Sequence, residues 1–105
     1  MLSGRVRVLS ERVMIPGREA SVRSVMEKVV HRVRQFPGFI RGEVLSDTKR
    51  PELYCILTEW ESFPHLQTWI DHPDYKVLVD EMDGLLGKPT SYQVFHRHRV
   101  EIFLL

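Results

Sequence analysis

A chain of 105 residues has room for one domain, taken here as 1–105, and burying roughly two-thirds of its unfolded surface it can fold alone. Its 15 Lys+Arg against 14 Asp+Glu, dispersed as in Arg5, Arg7, Arg12, Arg18 and Arg23, argue against a nucleic-acid or anionic-membrane partner. One cysteine, Cys55, excludes an internal disulfide framework, and neither a bilayer-spanning run nor a secretory leader is evident, so a cytoplasmic protein is expected.

From about Gly4 to Ile15 the chain is rich in β-branched residues: Val6 and Val8, then Val13 and Ile15. The polar break at Ser10, Glu11 and Arg12 changes the phase, which predicts a first strand with a bulge. Pro16 and Gly17 close it. From Arg18 the apolar residues recur at helical spacing, Val22, Val25, Met26, Val29, Val30 and Val33, and Phe36-Pro37-Gly38 ends that helix. Two strands follow, Phe39 to Ser46 and Glu52 to Glu61, joined as a hairpin by the polar turn 47–51. A short helix carries Phe63, Leu66, Trp69 and Ile70, with Ser62 as N-cap and Pro64 in its first turn. His72-Pro73 breaks it, and a further helix carries Tyr75, Leu78, Val79, Met82, Leu85 and Leu86 up to Gly87 and Pro89. The remainder, about 90–105, alternates as a long last strand.

The order β-α-β-β-α-α-β predicts an α+β fold, a ferredoxin-like split βαβ with an antiparallel sheet. Helices cover one face of such a sheet and leave the other bare. The strands carry apolar residues on both faces: Phe39, Leu45, Cys55 and Leu57 on one, Ile40, Val44, Ile56 and Trp60 on the other. A bare face of that kind calls for a second copy, hence a homodimer, onto which the last strand is long enough to reach.

The segments PGF after the first helix, TEWES at the end of the third strand, TWIDHPDY and GLLGKPTSYQVF resemble the landmarks of the antibiotic biosynthesis monooxygenase (ABM) family. The resemblance runs from about Gly4 to His98 and implies a dimeric α+β barrel. In the branch of that family that oxidises anthrones and quinols without a cofactor, Trp60 matches a pocket Trp. The pocket's Asn, Tyr and Arg positions fall on Ile56, on Leu66 and near Asp80. In the haem-degrading branch Trp69 matches a helix Trp, but the haem-ligating His falls on Val79 and the first-strand Asn near Glu11. That pattern implies no haem.

On this resemblance, Trp60 and Trp69 line a flat aromatic pocket, or else serve as core packing. Tyr54 and Tyr75 are candidates to hydrogen-bond a substrate carbonyl. His65 and His72, flanking the short helix, are candidate catalytic bases, or exposed helix-end residues. His96 and His98 stand on one strand face about 7 Å apart, but no third ligand is evident, so no metal is expected. Cys55 is expected to be an inert thiol. The reading is a monooxygenase for a small planar phenolic or quinone-like molecule, with O2 as co-substrate and no cofactor. The alternative is a non-catalytic ligand-binding or dimerisation module of the same fold.

Overall fold

The computed structural model describes residues 4–86 and 91–96. Strand β1 (Val6–Val13) is followed by helix α1 (Glu19–Val33), strands β2 (Phe39–Ser46) and β3 (Leu53–Trp60), helices α2 (Phe63–Ile70) and α3 (Pro73–Leu86), and strand β4 (Ser91–His96). The four strands form one antiparallel sheet in the order β2-β3-β1-β4. The α+β fold and its split βαβ order are therefore those expected. Residues of the expected last strand beyond His96, His98 included, lie outside the described residues.

Two features of the sheet differ from the sequence reading. Pairing of β1 with β3 is continuous from Val6 opposite Trp60 to Val13 opposite Leu53, so β1 has no bulge. The register shift sits instead in β2, between Phe39 and Arg41. That extra residue changes the strand's phase and turns Phe39 to the helix side, where its ring meets Trp60 edge-on at 5.4 Å. Phe39 thus leaves the face shared by Leu45, Cys55 and Leu57.

An unbroken β1 has a second consequence. Side chains two apart share a face, so Ser10 and Arg12 point the same way as Val6 and Val8. The polar break is a polar inlay in the helix-covered face.

The helices rest on two separate cores. In the first, Val6 and Val8 of β1 and Trp60 of β3 meet Leu66 and Trp69 of α2 and Val33 at the end of α1. In the second, Val22 and Val25 of α1 meet Met82 and Leu86 of α3, with no sheet residue among the buried members. Valine is a poor helix former, so α1 depends on this burial. Polar clasps reinforce it: Lys28 Nζ lies 3.2 Å from Glu81 Oε1 and Arg32 Nε 2.6 Å from Asp74 Oδ2. Arg18 donates to the carbonyls of Gly84 (3.2 Å) and Leu85 (2.7 Å), placing a cation at the C-terminal end of α3.

On the opposite face Leu9, Cys55 and Leu57 are half-buried, while Leu45 (41% exposed) and Phe95 (48% exposed) stand in the open. Glu59, only 4% exposed, lies on this face. Its carboxylate meets Arg7 at 3.1 Å, Arg41 at 3.6 Å and Arg5 at 3.7 Å. Burial works against this charge, but the Arg7 hydrogen bond and the three guanidiniums outweigh it and hold the carboxyl below its usual range.

Candidate functional site

Between the two cores the helices stand away from the sheet and enclose a cavity. Its volume is about 100 Å³, and its wall takes Val8, Ser10 and Arg12 from β1, Ile56, Thr58 and Trp60 from β3, Leu66 and Trp69 from α2, Tyr75 from α3 and Tyr92 from β4. A wider cleft of about 550 Å³ shares Arg12, Val29, Val33, Ile56 and Thr58 with it and runs out between α1 and β2. The cleft is possible because β2 is an edge strand, exposed along most of its length, that α1 does not cover.

The aromatic wall is held rigidly. Trp60 is 1% exposed, and its indole N–H donates to Thr58 Oγ1 at 3.2 Å. Trp69 is wedged edge-on between Phe36 (4.9 Å) and Tyr75 (5.5 Å). Both tryptophans belong to the first core and also line the cavity, so the two readings offered for them hold together. Burial pushes the Tyr75 hydroxyl above its usual pKa, as does neighbouring Tyr92, while Arg12 opposes them. Tyr75 is therefore a neutral hydrogen-bonding group near neutral pH.

The polar end of the cavity is the part the sequence reading missed. Arg12 Nη1 donates to Ser10 Oγ at 2.8 Å, and Ser10 Oγ donates to the Ile56 carbonyl at 3.4 Å. The Arg12 Nε is buried with no hydrogen-bond partner among the described residues. Burial lowers the pKa of this guanidinium, and Tyr75 and Asp83 oppose the shift. The signal was present in the sequence: Ser10 and Arg12 keep step with Val6 and Val8.

The other expected site residues lie elsewhere. Tyr54 lines a different cleft, of about 470 Å³, with Met14, Val22 and Val44. His65 Nδ1 is 2.6 Å from Ser62 Oγ, the same hydroxyl that caps α2 by accepting the His65 backbone N–H. Its ring lies against Gly38, whose φ of +85° and lack of a side chain permit the approach. His72 Nδ1 accepts the Asp74 N–H at 3.0 Å, and its ring stands edge-on to Phe36. Neither imidazole lines the inner cavity or the wider cleft. Cys55 is a free thiol on the opposite face, and Ile56 and Leu66 contribute hydrocarbon to the wall. Among the described residues no group of three His, Cys, Asp or Glu could hold a metal ion, and no helix is long and apolar enough to cross a membrane.

Known proteins share this fold. Protein SchA of Streptomyces halstedii is 28% identical over 79 residues, covering 75% of this chain but only 21% of that protein. The chain thus spans about a fifth of the curated relative it matches. A conserved protein from Methanosarcina mazei Go1 superposes with a TM-score of 0.82 at 18% identity, over 90% of this chain and 93% of the other. SnoaB, a cofactor-independent oxygenase from Streptomyces nogalater, gives 0.80 at 14% identity, over 91% and 95%. At such identities the likeness is one of fold. The profile of antibiotic biosynthesis monooxygenases matches residues 6–81, most of the chain and every wall element but β4, and the protein belongs to that family.

Proposed function

We infer that the protein is a monooxygenase that needs no bound cofactor and oxidises a small planar phenolic or quinone-like aromatic. The observation that carries this reading is the cavity between the two cores, walled by Trp60, Trp69, Tyr75 and Tyr92 and continuous with an open cleft. A flat ring fits such walls, and replacing water around an ionised ring by aromatic walls favours electron transfer to O2. In the reaction a ring C–H position becomes a carbonyl. The ionised substrate gives up its electrons, a C–O bond forms with one atom of O2, the O–O bond breaks and the other atom leaves as water. The substrate supplies all four electrons, and the two protons it loses, passed through water in the cleft, end on the oxygen atom that leaves as water. His65 and His72 hold the ends of α2 and α3 in this reading, and water takes the proton.

Oxygen uptake with a panel of anthrones and hydroquinones, in chelator-treated buffer, tests it. Label from ¹⁸O2 in the new carbonyl is the expected result. Tight binding of the panel without oxygen uptake favours instead a non-catalytic binding module, the reading supported by the hydrocarbon at Ile56 and Leu66.

The protein acts as a homodimer through the bare sheet face. Leu45 and Phe95, exposed beside Leu9, Cys55 and Leu57, support this, because covering such a patch is favourable. Sedimentation at micromolar concentration should give twice the monomer mass, and Leu45→Glu should return it to a monomer.

A further inference from the structure

We propose that Arg12 is the ligand-binding cation of the cavity, and that the ligand is a planar aromatic bearing an oxyanion, a carboxylate or an ionised hydroxyl beside a ketone. The proposal rests on the reading of this cavity as the ligand site and adds the charge of what it takes.

A guanidinium carries five N–H donors in a fixed plane, and it cannot leave one buried and unbonded without cost. Here the Nη1 corner is engaged by Ser10 Oγ, which orients the group. Nε lies on the opposite edge, shared with Nη2, and has no partner among the described residues. Nε is closed off as the side chain stands, and a small turn of the guanidinium toward the cavity that Arg12 lines would open that edge to two coplanar oxygens, with anions its strongest partners. Its surroundings suit a ring attached to such a group: Ile56 and Trp60 line the cavity from the sheet, and Val29, Trp69 and Tyr75 from the helices. Ion pairs within the protein are formed at Glu59 by Arg5, Arg7 and Arg41, and at Asp74 by Arg32, all outside this wall. Among the described residues Arg12 makes no salt bridge of that kind, although Asp83 is near enough to act on its charge. A purely structural arginine would be expected to close a pair. This one is anchored by a neutral hydroxyl and keeps its strong edge for something else.

The test measures quenching of the wall tryptophans by 2-naphthoate and by its neutral isostere 2-naphthamide. Wild type should bind the carboxylate roughly tenfold to a hundredfold more tightly, the range for a charge-assisted hydrogen bond in a dry site. Arg12→Met should bring the two affinities within about twofold while keeping that of the amide. Its melting temperature should hold or rise, since hydrocarbon replaces a buried, incompletely bonded cation. Arg12→Gln, which can still bond Ser10, carries the same comparison if the Met variant does not fold. Equal affinities in wild type, or a carboxylate preference that survives loss of the charge, would overturn the proposal. In a second arm, 1,8-dihydroxyanthrone should bind wild type with the visible absorption of its anion at a pH where the free compound is neutral. That result marks the ionised hydroxyl-ketone as the ligand, whereas a response to naphthoate alone marks a carboxylate. The oxygenase reading fails separately: anion binding without oxygen uptake removes the reaction and keeps Arg12, and undiminished uptake in Arg12→Met does the reverse.

Discussion

The two cores of this protein are made by the same kinds of side chain and do different work. The first is a sandwich of sheet and helix, with Val6 and Trp60 below and Leu66 and Trp69 above. The second is helix against helix, with Val22 and Val25 on Met82 and Leu86. Had α1 packed along its whole length on the sheet, no space would remain over Ile56 and Thr58. It packs on α3 instead and touches the first core only through Val33 at its end. The empty space between the cores is therefore a consequence of which partner α1 chose. A cavity can be built by moving a helix sideways rather than by hollowing out a core.

The largest expected effect comes from removing the shared wall of the first core. Trp60→Ala should cost about 3–5 kcal/mol, the range for large aromatic truncations, because the indole is almost fully enclosed. Chemical denaturation measures this, and a loss under about 1 kcal/mol would show that the ring serves the cavity and not the core. In the second core, Met82→Ala should cost about 2–5 kcal/mol. It should also speed amide exchange in α1 more than in β1 and β3, because α1 depends on α3. Uniform acceleration across the molecule would mean the two cores are one cooperative unit.

The smallest effect concerns the clasp between α1 and α3. The Arg32 hydrogen bond, with the His72 and Arg32 charges, holds the Asp74 carboxyl below its usual range against a small opposing effect of burial. A carboxyl depressed in the folded state adds stability above its unfolded pKa, and that contribution is lost as pH falls through the folded value. Asp74→Asn should therefore flatten the acid limb of the stability curve below about pH 4 and change little at neutral pH. An unchanged acid limb would exclude this clasp from the α1–α3 contact.

Much of the fold was legible because two periods alternate along the chain. The valines of 22–33 repeat at helical spacing, Pro37 and Pro73 fall where helices stop or start, and the hairpin 39–60 is marked by its polar turn. The site was legible only in its hydrocarbon half. Trp60, Trp69 and Tyr75 stand out as aromatics at apolar positions, and the structure brings them together around one cavity. Ser10 and Arg12 were hidden by a rule that usually holds, that a polar run in a strand marks a bulge or a turn. Here the strand continues and carries its polar residues inward. Phe39 was misplaced for the complementary reason, since a bulge that no sequence feature announces shifts its phase. Which helix α1 would lean on depends on long-range packing that periodicity does not encode. His65 and His72 stand apart from that cavity, with Nδ1 of the one beside Ser62 Oγ and Nδ1 of the other accepting the backbone N–H of Asp74.

The strand order has a consequence for how the protein is made. Because β1 lies between β3 and β4, it is made before β4 and waits for that strand to complete its pairing. Until residues 91–96 emerge, β1 has one unpaired edge, and the wall around Arg12 lacks Tyr92. A nascent chain can thus assemble the hairpin and both helical contacts and still have no closed binding cavity. On the proposed reading, ligand capture waits for residues 91–96, so a fluorescent naphthoate would report the docking of β4 as well as the folding that precedes it.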